Sequence, residues 1–291
     1  MSEIAHEIAT QPECWRRAAE AAVRGIDVLP ATGSTVAVVG CGTSLYVAQA
    51  YAALREEAGH GRTDAFPASE FPLGRAYDRV VGISRSGTTT EVVRVLEALG
   101  PEPTVVITAV PGTPVVGAAG GAVLLPFADE RSVVQTRFAT SVLALLRVHL
   151  GGDIAPAIAD GERALTVPPP ADPRAFTQLV FLGRGWTVGL ANEAALKMRE
   201  ATASWAESYP AMEYRHGPIS VAGPHTLVWT LGDVEPDVSI DVEATGATVV
   251  HGELDPMAEL VLVQRMAVAL AEDKGLDPDH PRHLTRSVVL S

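Results

Sequence analysis

The chain has 291 residues, a net charge of −13, 47% hydrophobic residues and only 5% aromatic ones. That length allows two domains of ordinary size, and a core built from Ala, Val and Leu suits buried parallel strands packed by helices. The acid excess argues against a nucleic-acid partner, since phosphate-backbone contacts need clustered Lys and Arg, and no apolar run reaches membrane-spanning length without Gly, Pro or charge.

The N-terminal residues to about Val28 read as an amphipathic helix. The start Met-Ser-Glu-Ile-Ala-His-Glu-Ile lacks a basic region followed by an apolar core, so no signal peptide is expected. Short apolar runs then recur, each closed by a turn and followed by a helical pattern. They are Thr35–Gly40, Arg79–Ile83, Pro103–Thr108 and Ala122–Pro126, then Gln178–Leu182, His225–Thr230 and Ala247–His251. Alternating strand and helix signals imply an α/β fold with parallel sheets and helices on both faces. Between the two series stands Leu165-Thr-Val-Pro-Pro-Pro-Ala-Asp-Pro173, too stiff and proline-rich for a central strand, which reads as a linker. The expected division is therefore residues 1–165, with the N-terminal helix, and residues 166–291, with the C-terminal tail. The tail from Asp277 is too irregular for a helix, but its last residues are apolar, which implies that it packs on something. Cys14 and Cys41 make neither a disulfide framework nor a metal-ligand pattern, so a reducing, cytoplasmic setting is expected.

Two turns follow strands in the first half. Gly40-Cys-Gly-Thr-Ser44 reads equally as a helix cap or as an anion site. Ser84-Arg-Ser-Gly-Thr-Thr-Thr90 offers five hydroxyls in seven residues ahead of a helix, and reads as a phosphate cradle. Neither turn is a P-loop, because no Gly-Lys-Thr follows. In the second half, a glycine turn leads into a helix on which Glu193, Lys197 and Glu200 stand at i, i+4 and i+7, on one face. By itself that spacing also fits an ordinary solvated, salt-bridged face. His216, before Gly-Pro, reads by itself as an ordinary turn histidine. His280 and His283 have no further ligand at metal-binding spacing, so no metal and no cofactor are expected.

Taken in order, Gly40–Ser44, Ser84–Glu91, Glu130-Arg-Ser-Val-Val-Gln-Thr-Arg137, Glu193-Ala-Ala-Leu-Lys197, Glu213-Tyr-Arg-His-Gly-Pro218 and Asp277-Pro-Asp-His-Pro-Arg282 resemble the tandem sugar isomerase (SIS) domain family. The resemblance covers nearly the whole chain. It points to free-standing amino-sugar-phosphate deaminases and to the isomerase half of glucosamine-6-phosphate synthase, with the Ser-Val-Val-Gln-Thr-Arg wording nearer the deaminases. It implies two tandem SIS domains, each a doubly wound parallel sheet. It implies that Thr43, with Ser44 beside it, and Ser84, Ser86 and Thr89, with Arg85 between them, hold a sugar 6-phosphate. It places Gln135 against the sugar, Glu200 as the base at C2 and Glu193 and Lys197 as polar neighbours. His216 is implied as the ring-opening histidine, supplied by a neighbouring subunit, so a homodimer with shared active sites is expected. Two departures stand out. The first cysteine is Cys14, so the chain start lacks the nucleophile of a glutaminase domain. And Arg286 stands where the synthase family has a Schiff-base lysine; a guanidinium keeps its charge and is not an imine-forming amine, though it can hold an oxyanion or phosphate.

The expected activity is amino-sugar 6-phosphate chemistry by ring opening and C2 proton abstraction, of the glucosamine-6-phosphate deaminase/isomerase type. With an N-acetyl group at C2, the same enolate would expel the C3 hydroxyl, which gives a dehydratase (lyase) alternative. A non-catalytic sugar-phosphate sensor is the second alternative.

Overall fold

The computed structural model describes residues 2–23 and 27–290. Two helices open the chain, α1 (Glu3–Ala9) and α2 (Gln11–Val23). The single N-terminal helix expected from sequence is broken at Thr10 because Pro12 has no amide to continue the ladder. Residues 24–26 of that expected helix lie outside the described residues.

The first sheet follows: β1 (Val36–Gly40), α3 (Thr43–Glu57), β2 (Thr63–Pro67), β3 (Arg79–Ile83), α4 (Thr90–Leu99), β4 (Thr104–Thr108), α5 (Pro114–Ala118) and β5 (Gly121–Leu124), closed by α6 (Arg137–His149). After α7 (Ala155–Ala164) come β6 (Gln178–Gly183), α8 (Thr187–Thr202), β7 (Ala206–Pro210), β8 (Thr226–Leu231), α9 (Pro236–Glu243), β9 (Thr248–His251) and α10 (Pro256–Asp273). All strand pairs are parallel, in the orders β2-β1-β3-β4-β5 and β7-β6-β8-β9. Each sheet thus starts in its interior, steps one way, then reverses.

All seven strands expected from apolar runs are present. They are rich in Val, Ile, Leu and aromatic residues, and the central ones are buried along almost all of their length, as parallel strands covered on both faces must be. The apolar runs do not mark β2 and β7. Both are edge strands, half-buried, each with an acid and a terminal proline, the composition that an edge tolerates. In the first sheet, Val39, Val80 and Val106 pack against Val92, Val95 and Leu96 of α4, whose i, i+3, i+4 spacing makes one apolar stripe. In the second, Val180, Leu182 and Val228 pack against Val238 and Val242 of α9. Each such side chain contributes about 1.5–3 kcal/mol by burial.

The chain divides into two compact units, and the division is not contiguous. One holds Glu13–Ile154 and the tail from Leu284; the other holds the residues up to Pro12 and Ala155–His283. The expected split at 165/166 put both ends and α7 elsewhere. Hydrogen bonds account for the difference. Asp279 accepts the Glu3 and Ile4 amides of α1 at 2.9 and 2.7 Å, and Gln11 donates to Gln264 at 2.6 Å. Arg265 donates to the Ala164 carbonyl and, at 2.6 Å, to that of Val167, binding α7 and the proline stretch to α10. The tail belongs with the first sheet through the contacts described below. No helix among the described residues is long and apolar enough to cross a membrane.

Candidate active site

In an open parallel sheet, ligands bind beyond the carboxyl ends of the strands where the strand order reverses. In the first sheet that point lies between β1 and β3. The loops leaving those two strands are Gly40–Ser44 and Ser84–Thr90, the two turns singled out from sequence. Gly40 is required there: a Cβ would stand 2.7 Å from the Ser44 carbonyl carbon, so the turn into α3 closes only on glycine. Thr43 and Ser44 are both buried at the start of α3.

The Ser84–Thr90 loop is bound internally through its hydroxyls. Ser84 Oγ lies 3.2 Å from Thr89 Oγ1 and accepts the Gly87 amide at 3.2 Å. Ser86 Oγ accepts from the Thr88 amide and the Thr88 hydroxyl, at 3.2 and 3.1 Å. Gly87 has φ +69°, and a Cβ there would stand 2.0 Å from Thr113 Oγ1. Gly87→Ala is therefore expected to cost about 2–3 kcal/mol through left-handed strain and a forced shift of Thr113. Urea unfolding checks this, and an unchanged midpoint would mean that the loop is not as tightly specified as its geometry implies.

Arg85 does not behave as a free phosphate ligand. It is 2% exposed, and its guanidinium donates to the Ser132, Val133 and Arg286 carbonyls at 2.9, 3.2 and 3.0 Å. It also pairs with Glu130 at 3.6 Å. The position predicted to hold phosphate instead ties three segments together. Glu130, quoted in a motif but given no role from sequence, accepts the Thr136 amide and hydroxyl and the Arg137 amide, and so caps α6. Its signal was an acid seven residues ahead of a helix start. Between these anchors lies Gln135, whose Oε1 is buried without a hydrogen-bond partner among the described residues. Arg286 is also committed. Its guanidinium pairs with Asp129 and donates to the Glu130 carbonyl at 3.1 Å.

In the other unit, α8 presents Glu193, Lys197 and Glu200. Lys197 Nζ lies 3.3 Å from Glu193 Oε1 and 2.6 Å from Glu200 Oε2. The side chains of Glu193 and Lys197 are 1% exposed and that of Glu200 is 19% exposed, so the solvated-face reading falls. Burial alone pushes the Lys197 ammonium down, but Glu193 and Glu200 outweigh it and hold the group above its ordinary value. A lysine kept charged in this way is not an imine-forming nucleophile. His216 ends a short 3₁₀ turn, Glu213–His216, pinned by the fully buried Tyr214, whose ring centre lies 5.5 Å from that of Tyr209. His216 itself is exposed at the end of that turn. The turn at the reversal point of the second sheet carries few hydroxyls and is crossed by an Arg184–Glu235 ion pair at 3.3 Å. No group of three His, Cys, Asp or Glu side chains suited to a metal occurs among the described residues.

No protein-family model matches the chain. Among curated proteins, the chain is 28% identical over 305 residues to the glutamine–fructose-6-phosphate aminotransferase (isomerizing) of Methanothermobacter thermautotrophicus, a match covering 88% of this chain and 51% of that protein. Matches to the first relatives of that name span 23% to 51% of their length, so the chain matches at most about half of such a protein. Among solved structures, it superposes on the glucosamine-6-phosphate deaminase of Thermotoga maritima with a TM-score of 0.80 and 25% identity, over 99% of this chain and 100% of that one. The tagatose-6-phosphate ketose/aldose isomerase of Escherichia coli shares the fold, with a TM-score of 0.76 and 19% identity over 97% of each chain. The chain is thus homologous to the sugar-isomerase part of the aminotransferases and has the fold of phosphosugar isomerases and deaminases.

Proposed function

We propose that the protein is an amino-sugar 6-phosphate enzyme of the deaminase/isomerase type, built from two tandem SIS domains. The main support is the buried Glu193–Lys197–Glu200 group. Two carboxylates and an ammonium are costly to bury, and they serve no packing purpose that apolar side chains would not serve better. The hydroxyl loop at the sheet's reversal point and the likeness to a glucosamine-6-phosphate deaminase agree with it. The matching strand orders of the two sheets support the tandem assignment.

In this mechanism Thr43, Ser44, Ser84, Ser86 and Thr89 hold the 6-phosphate, and Gln135 contacts the sugar. His216 moves the proton between O5 and O1 that opens the ring. Its exposure supports supply from a second copy in a homodimer. Glu200 takes the C2 proton, acidic because it is alpha to the aldehyde. The charged Lys197 favours the enolate that forms. Reprotonation at C1 places the double bond between C2 and nitrogen. Water then adds at C2 and ammonia leaves, giving the keto sugar phosphate. No step needs an enzyme amine, which agrees with Arg286 standing in place of a lysine and with Lys197 held charged. Arg286 acts in this reading by shaping the 129–130 segment.

The same feature keeps a second reading open. With an N-acetyl group at C2 the imine cannot form, and the enolate expels the C3 hydroxyl, protonated as it leaves, to give a 2,3-unsaturated sugar phosphate. Proton NMR with glucosamine 6-phosphate and, separately, N-acetylglucosamine 6-phosphate, with ammonia assayed in parallel, tests both. Fructose 6-phosphate plus ammonia from the free amine is the expected result. A vinyl signal from the acetylated sugar without ammonia would replace the deaminase reading by the dehydratase. No turnover of either sugar, with binding retained, would leave a sensor.

A further inference from the structure

We propose that Ser287, in the C-terminal tail, adds a further hydroxyl to the phosphate cradle, and that Arg85 is the positioning residue that holds it there. This rests on the phosphate reading of the Ser84–Thr90 loop. Ser86 Oγ, Thr88 Oγ1 and Ser287 Oγ form a triangle with sides of 3.1, 3.1 and 2.9 Å. Each hydroxyl has one proton to give and lone pairs to accept with. Turned toward an anion, the three become donors about 3 Å apart, close enough together to converge on one phosphate.

The tail is not seated by apolar burial, as its composition suggested. Val288, Val289 and Leu290 are 51%, 68% and 49% exposed. Polar groups hold it instead. The Thr90 amide, in the first turn of α4, donates to the Val288 carbonyl at 3.2 Å. The Leu290 amide donates to Thr90 Oγ1 at 2.9 Å. Arg85 fixes the register: its guanidinium holds the Arg286 carbonyl at 3.0 Å. The residues that follow each, Ser86 and Ser287, then meet at 3.1 Å. The Arg85–Glu130 pair, with side chains 1% and 0% exposed, makes this an anchor buried from water.

Calorimetric titration of the full chain with glucosamine 6-phosphate and with inorganic phosphate tests the assignment. Thermal melting confirms that each variant is folded. Ser287→Ala is expected to weaken sugar-phosphate binding about 10- to 100-fold, the loss of one hydrogen bond to a charged group. Ser287→Thr, which keeps the hydroxyl, should bind close to wild type. Arg85→Met should weaken binding alone but add little on top of Ser287→Ala, because both remove the same contact. Unchanged binding by Ser287→Ala while wild type binds would overturn the Ser287 role and leave the cradle standing. Tighter binding would also overturn it and make the tail a plug, the Val288 carbonyl competing for the Thr90 amide. If wild type binds neither probe, the cradle reading and this inference fall together.

Discussion

Glu200→Gln is expected to reduce turnover of amino-sugar phosphate by about 10²- to 10⁴-fold, the usual contribution of a positioned general base. Binding and fold should survive. A glutamine oxygen can still accept from Lys197, now at 2.6 Å from Glu200, and Glu193, at 3.3 Å, still balances the ammonium. The side chain is 19% exposed, which leaves one edge of the group open, while Glu193 and Lys197 are closed off. Of the three, therefore, Glu200 is the one placed to meet a substrate proton. Solvent exchange at C2, followed by NMR in D₂O, separates the roles: a base variant stops the C2–H exchange itself. Undiminished exchange in Glu200→Gln would remove Glu200 from the mechanism.

The largest stability effect is expected at Lys197. Lys197→Met keeps much of the volume but leaves Glu193 and Glu200 facing a buried space without their cation. The expected loss is about 3–5 kcal/mol, the range for breaking one half of a buried pair. A second substitution, Glu193→Gln, should recover part of it by removing the stranded charge. Urea unfolding measures both, and a loss below about 1 kcal/mol would place the group in a more polar setting than its burial implies. The sign of the pH dependence follows from the direction of the Lys197 shift. The folded-state value lies above the ordinary 10.5, so this contribution is complete below 10.5 and lost only as pH rises through the folded value. Loss of the stability that Lys197 contributes between neutrality and pH 9 would contradict it.

Much of the fold was legible because its central strands are nearly continuous apolar runs with turn residues at their ends. Periodicity reads such segments directly, and it failed at β2 and β7 for the same reason. Edge strands need no apolar face, so Thr63-Asp-Ala-Phe-Pro67 and Ala206-Glu-Ser-Tyr-Pro210 carry no alternation to read. Among the site residues, the hydroxyl loop and the Glu193/Lys197/Glu200 face were visible as local patterns of seven or eight residues. Their burial was not, and burial is what separates a functional group from a solvated helix face.

The α/β class, seven of the nine strands, the two hydroxyl turns and the face of α8 are written in the sequence, because each depends on neighbours within one or two turns of chain. Where the chain ends belong, and which groups Arg85, Glu130, Arg286 and Ser287 meet, emerges only in three dimensions. Arg85 meets a carbonyl 201 positions away, and Asp279 caps a helix 275 residues before it. No local pattern encodes such pairings. They arise when packing buries amides, carbonyls and charges together, and each must find a partner or leave its neighbour unsatisfied.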